Sequence, residues 1–314
     1  MKSKRILSFA LIIAMLLSTV LLATSCTSTF DDTKYAIVSE NNLTDDGLVY
    51  SIYENNTVAI TGRQVDYDEL IIPDEISGAP VVEVAESAFA NDETLVFVTI
   101  GKNVKVISDN AFSECEYLAR VEASESLKKI SSGAFYACTR LTEIVGATKL
   151  EIIDEVAFYN CSSLAYFTFP ETLTTINAEA FSGCESLSNV TLPAKLKTID
   201  RAVFSYCSSL TRVSMGNIDF VPERTFLNCV SLETVTLSPE AKTIDAHAFR
   251  GCSNLKTITV PKTVTSVGEA AFAQCEALKN VKFEGSESAF QKITYGAENN
   301  FFSGANITYN QKIG

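Results

Sequence analysis

The chain has 314 residues, 46% of them hydrophobic and 20% charged, with 14 Gly, 7 Pro and no Trp. That composition supplies enough apolar material for a sizeable core and excludes a disordered chain. The net charge is −13, and without Lys2, Lys4 and Arg5 the remainder carries −16. So acidic a surface is repelled by phosphate backbones and anionic headgroups, which argues against nucleic acid as a partner and against direct docking on an acidic membrane.

In chain order, residues 2–5 are basic and Ile6 to Ser25 carry no charge, the layout of an export signal. A run of about 20 apolar residues would also span a bilayer. Leu22-Ala23-Thr24-Ser25-Cys26 decides between the two readings. Small residues leading to a cysteine at the end of the apolar run resemble the lipobox of bacterial lipoproteins, with Ala23 where Leu is commoner. The resemblance implies a signal peptide over 1–25, lipidation of Cys26 and an extracytoplasmic, lipid-anchored chain that meets the membrane through its anchor only. Residues 26–47 are polar and acidic and are expected to be a flexible tether. Leu48–Gly62 alternates about a turn at Glu54-Asn55-Asn56, which predicts a hairpin capping the N-terminal end over 48–63.

From residue 64 a repeat governs the chain, and internal repeats decide architecture before any local reading does. Phe stands at 89, 112, 135, 158, 181, 204, 226, 249 and 272, at steps of 23 residues with a single step of 22. Cys follows three residues later in eight of the nine units, from Cys115 to Cys275, and Asp92 fills the slot in the first. Leu follows three further on, then an apolar-x-apolar stretch beginning at Val98, Val121, Ile144, Phe167, Val190, Val213, Val235, Ile258 and Val281. A second apolar pair comes next, as in Leu173/Ile176. The period-two stretch fits a half-buried strand with Thr on its wet side. One strand per unit must pair with the next unit in parallel, with Ala-Phe-x-x-Cys on the opposite wall as short turns or 3₁₀ segments. No unit can bury its own apolar face, and stacking does so.

These residues resemble the BspA-like class of bacterial leucine-rich repeats over residues 64–284. The resemblance implies an α/β-type repeat solenoid, right-handed, with about 23 residues per coil, one parallel β-sheet and a cap at each end, the C-terminal one over 285–314. It also implies a surface or secreted protein that binds matrix proteins, host cells or other bacteria rather than an enzyme. The alternative is a spacer or assembly module of the cell envelope without a ligand of its own.

The chemistry-bearing residues fit that reading. Eight cysteines in one repeat slot among Phe and Leu read as buried thiols serving as small hydrophobes. A disulfide needs Cβ atoms turned toward each other, which a column of parallel side chains does not offer. Cysteines 22 or 23 residues apart match no metal-site spacing. His247, the only histidine, falls in a turn slot whose equivalents are Glu179 and Asn110. Asp109, Asp154, Asp200 and Asp245 recur once per coil, as a polar turn does, and no catalytic, metal or cofactor motif is present. The ligand-binding candidates are outward aromatics and arginines, enriched at binding hot spots: Tyr136, Tyr159 and Tyr206 near the Phe column, and Tyr166, Arg120 and Arg212 on the strand. They point to a protein or glycan partner on host or neighbouring cells.

Overall fold

Alternation within each unit dictates which backbone groups meet the neighbouring coil. The computed structural model describes residues 35–310. The export signal, Cys26 and the start of the tether lie outside the described residues, as do 311–314. From Ala36 onward the chain is one unit.

The apolar-x-apolar stretch forms the first ladder of parallel strands. Glu69–Ile72, Phe97–Ile100, Arg120–Glu122 and Glu143–Val145 pair in register, Val98 beside Val121 and Val121 beside Ile144. A second run begins at Asn189–Thr191 and continues through Arg212–Ser214, Thr234–Thr236, Thr257–Val260 and Asn280–Phe283 to Asn306–Thr308. The two runs are separated by the coil of Tyr166–Phe169. There Phe167 and Phe169 replace aliphatic residues, and their rings wedge against Phe181 at 5.0 and 5.3 Å.

The second apolar pair makes a ladder of its own, where the sequence suggested one sheet. Val106–Ile107, Lys129–Ile130, Ile152–Ile153, Thr175–Ile176 and Thr198–Ile199 pair in parallel, each Ile inward. After a break, Phe220–Val221, Thr243–Ile244, Ser266–Val267 and Thr294–Tyr295 continue it. These strands are two residues long, so no alternation announces them.

The Ala-Phe-x-x-Cys wall binds its neighbours differently. The amides of Asn110, Phe112 and Glu114 donate to the next coil's Ser132, Ala134 and Tyr136 carbonyls at 2.9, 2.8 and 2.7 Å. The intervening amides of Ala111, Ser113 and Cys115 turn back onto Ser108, Asn110 and Phe112. This pattern puts the residues two before and two after each Phe at positive φ, as at Asn110 (54°) and Glu114 (59°). Most units meet the demand with Asn, Gly, Ala or a polar residue, and Val156, at φ 49°, meets it with a β-branched side chain that strains there.

Inside this wall the phenylalanine rings stack from Phe89 to Phe272 with centroids 5.0–5.8 Å apart. Each Phe carbonyl with a cysteine coil after it accepts twice. Phe135 takes the Cys138 amide at 3.2 Å and the Cys161 thiol of the next coil at 3.0 Å. All eight repeat cysteines donate Sγ–H to the preceding coil's Phe carbonyl, at 3.0–3.3 Å. The cysteine slot therefore calls for a side chain small enough for a packed column that still carries a donor for a buried carbonyl.

At the N-terminal end β1 (Ile37–Leu43), β2 (Leu48–Tyr53) and β3 (Val58–Arg63) form an antiparallel meander, and β3 pairs in parallel with Ala79–Val84. β1 lies within the stretch expected as tether. It is solvated on both faces, so its polar sequence carries no alternation to read. Arg63 forms a 2.6 Å ion pair with Asp92, the residue in the first cysteine slot, with side chains 5% and 13% exposed. Arg63 also donates to the Tyr67 carbonyl and Thr94. Burial pushes the Asp92 carboxyl up, but the bonds from Thr94 and Arg63 outweigh it and hold Asp92 below the ordinary carboxylate value.

At the other end residues 285–310 leave the repeat period yet add one further coil to both ladders. Phe302 continues the ring stack, 4.6 Å from Phe272. Asn299 Oδ1 accepts the Phe272 amide at 3.0 Å, where a further coil would offer a carbonyl.

Two stability measurements check this packing. Phe181→Ala is expected to cost about 3–5 kcal/mol by cavity formation, and Thr191→Ala on the wet face about 0.5 kcal/mol; equal costs in chemical denaturation would contradict the inward and outward assignment. Asp92→Asn is expected to lower Tm at pH 7. Because the folded Asp92 pKa lies below the unfolded value of about 3.9, the clasp is fully present above that value and is lost as pH falls through the folded one. The Tm gap between wild type and Asp92→Asn should therefore close toward pH 2, and a gap unchanged across that range would contradict it.

Candidate binding surface

The side chains that flank the inward column of the first ladder point to solvent, and pairing register sets them in rows. One row runs Glu69, Phe97, Arg120, Glu143, and resumes at Asn189, Arg212, Thr234, Thr257 and Asn280. Tyr166 occupies the equivalent sequence slot in the coil between them, outside the ladder bonding, and is 71% exposed. A second row begins Ile71, Thr99, Glu122, Val145. Among the sequence candidates, Arg120, Tyr166 and Arg212 thus belong to one wall.

Arg120 is engaged rather than free. Its guanidinium pairs with Glu122 at 3.2 Å and Glu143 at 3.0 Å, and its Nε is buried without a partner. Both pairs are about half exposed, so solvent screens them and they add little to stability. They do fix the guanidinium plane on the sheet. Arg212 sits between Asn189 and Thr234 with no ion pair among the described residues.

The other three candidates lie on the turn wall, whose inner face meets the inner face of the strands through Phe158 and Phe167 at 5.3 Å. Their outer faces point away from each other, so the six residues do not form one site. Tyr136 and Tyr159 stack with centroids 5.3 Å apart and planes 4° from parallel, each half-buried. Tyr206 is 51% exposed at one of the positive-φ positions.

Two surface features escaped the sequence reading. Ile71 is 60% exposed opposite Thr99, on the same face as Phe97, 47% exposed; it stands in the unbroken apolar run Leu70-Ile71-Ile72, where no alternation separates in from out. Arg140 lies over the Tyr117 ring, 4.5 Å from its centroid, a cation–π contact between equivalent slots of adjacent coils. Same-slot comparison of neighbouring units was the signal that could have found it.

The groups weighed for chemistry have structural employment. Asp109 accepts the Ser132 amide, Asp154 accepts from Asn177 at 2.7 Å and pairs with Lys129, Asp200 accepts the Arg201 amide, and Asp245 accepts from Thr243. No hydrogen bond joins Asp245 to His247 among the described residues, and none of their His, Cys, Asp and Glu side chains cluster as a metal site would. The eight thiols are free and buried. Burial pushes Cys115, Cys229 and Cys275 up to about 12, and also raises the others in the column. Thiols so raised are poor nucleophiles at neutral pH. Alkylation at pH 8 is therefore expected to leave all eight unmodified in the native chain and to modify all eight after denaturation without reductant. Fewer reactive thiols in the denatured chain would mean disulfides and contradict the column geometry.

Comparison with known proteins yields a family and a set of folds. The model of the BspA type leucine-rich repeat region matches in six copies over residues 82–211 and 219–313. Solved structures similar to this chain include a leucine-rich repeat protein of T. pallidum, at 25% identity over 82% of this chain and 98% of that one, TM-score 0.46. A leucine-rich cell surface protein of Faecalibacterium prausnitzii matches at 23% identity over 80% and 97%, TM-score 0.36. The pneumococcal vaccine antigen PcpA matches at 15% identity over 88% and 99%, TM-score 0.43. No curated protein matches. No helix among the described residues is long and apolar enough to cross a membrane.

Proposed function

The chain belongs to the family of BspA-type leucine-rich repeat proteins, and from that premise we propose that it is a cell-surface binding protein. In this reading it is held to the membrane by a lipid on Cys26, and its outward sheet row takes a protein or glycan ligand on a host or neighbouring cell. The observation that carries the reading is the contrast between columns. Inward slots repeat Phe, Cys, Leu and Val or Ile from coil to coil, while the outward row changes at nearly every step from Phe97 through Arg120, Glu143, Tyr166 and Asn189 to Arg212.

A rigid backbone that holds varied aromatic and charged groups in register offers pre-organised contacts, which lowers the ordering cost of binding. Tyr166 and Phe97 supply exposed aromatic area, and Arg212 supplies a cation without a partner on the sheet. The basic residues 2–5, the uncharged run to Ser25 and Cys26 support export and anchoring. The family match points to no catalytic family.

The test is a panel of matrix proteins and glycans probed with the full chain. Capture of a ligand above background is expected, with the double substitution Tyr166→Ala and Arg212→Ala weakening it about 10-fold or more, roughly 1.4 kcal/mol. No ligand above background, or a double variant that binds as tightly as wild type, would sink the reading. Crosslinks only to neighbours in the same envelope would then favour a spacer.

A further inference from the structure

The second ladder is broken at one place. In every other coil step from Val106–Ile107 to Thr294–Tyr295, amides of the later coil close onto two carbonyls of the earlier one. Lys128 and Ser131 donate to Lys105 and Ile107, Lys197 and Asp200 to Thr174 and Ile176, and Lys242 and Asp245 to Asp219 and Val221. Between Thr198–Ile199 and Phe220–Val221 neither bond forms, and the carbonyls of Lys197 and Ile199 receive no hydrogen bond among the described residues.

The sequence supplies two causes. The unit is one residue short around Met215-Gly216-Asn217-Ile218, which shifts the approach of Asp219 and Phe220. The residue whose amide would reach Ile199 is Pro222, which has none. The family match is interrupted over the same stretch, at 212–218. The ring stack also opens here, to 5.7 Å at Phe181–Phe204 and 5.8 Å at Phe204–Phe226, against 5.0–5.4 Å in the other coils.

The break adjoins an open, shallow groove lined by Lys195, Leu196, Lys197, Asn217 and Asp219 among others. Lys195 and Lys197 are exposed and make no ion pair among the described residues, whereas Asp219 is paired with Lys242 at 3.2 Å. The groove therefore offers two free cations at its rim and the unpaired Lys197 carbonyl beside them, while the Ile199 carbonyl belongs to a buried residue behind the surface. An inserted peptide strand does not fit, because it would need the coils about 9–10 Å apart and the ring stack holds them near 5.8 Å. A group approaching from outside with a hydroxyl and a carboxylate meets the Lys197 carbonyl and the two lysines.

We infer that this break is a second binding site, separate from the sheet row, for an acidic saccharide of the uronic-acid class. A sugar hydroxyl donates to the Lys197 carbonyl, and the carboxylate lies between Lys195 and Lys197.

Calorimetric titration of the full chain with oligogalacturonate, its methyl ester and oligoglutamate tests it. Binding of oligogalacturonate is expected, at least about 10-fold weaker for the ester and for the variant Lys195→Met with Lys197→Met, and unchanged in Lys262→Met. Insertion of one glycine after Gly216 together with Pro222→Ala should close the ladder and abolish binding; if that variant fails to fold, the lysine variant decides. No binding at millimolar oligogalacturonate, equal binding of the ester, or indifference to the two lysines would overturn the proposal. Equal or tighter binding of oligoglutamate would also overturn it, in favour of an acidic peptide.

Discussion

The buried phenylalanine carbonyl is the constraint around which each coil is arranged. Enclosed by packed rings, it must find donors inside the protein, because an unsatisfied buried acceptor costs about 1–3 kcal/mol. It finds one in the cysteine amide of its own coil and another in the thiol of the next. That double acceptance ties the ring column to the sulfur column and makes each coil's interior depend on its successor. The column ends in substitutes that meet other groups: Asp92 is held by Arg63 at the start, and at the finish Asn299 Oδ1 takes the Phe272 amide while Phe302 continues the rings.

Such dependence makes the structure quasi-one-dimensional, with stability summed from coil-to-coil interfaces. The outward slots are released from packing, so Phe97, Arg120, Tyr166 and Arg212 can vary without disturbing the columns behind them. The same logic allows local faults. The Phe167/Phe169 wedge interrupts the first ladder, and the short unit with Pro222 interrupts the second, while the ring stack runs through both places. A fault that the core tolerates leaves backbone acceptors, as at Lys197 and Ile199, without a partner in the next coil.

The columns were legible in the sequence because Phe, Cys and Leu recur at fixed offsets and burial follows the offset. The second ladder was not, since a strand of two residues has no alternation. Strand β1 was hidden for a related reason: with solvent on both faces, Ile37–Leu43 looks like any polar segment. Ile71 was masked by apolar neighbours on both sides. The candidate surface was partly readable. Slot comparison placed Tyr166, Arg120 and Arg212 on the strand, but only the folded coils show that Tyr136, Tyr159 and Tyr206 face another way. The cysteines were recognisable as buried thiols, whereas their bond to the preceding phenylalanine carbonyl requires a register between coils that spacing alone does not give.

The central claim is that neighbouring coils are coupled through one continuous ring column. A double-mutant cycle on Phe135→Leu and Phe158→Leu, whose rings stack at 5.4 Å, measures that coupling directly. The account predicts a coupling energy of about 0.5–1.5 kcal/mol for this pair and near zero for the distant pair Phe112→Leu and Phe249→Leu. Additive effects at both pairs would contradict it.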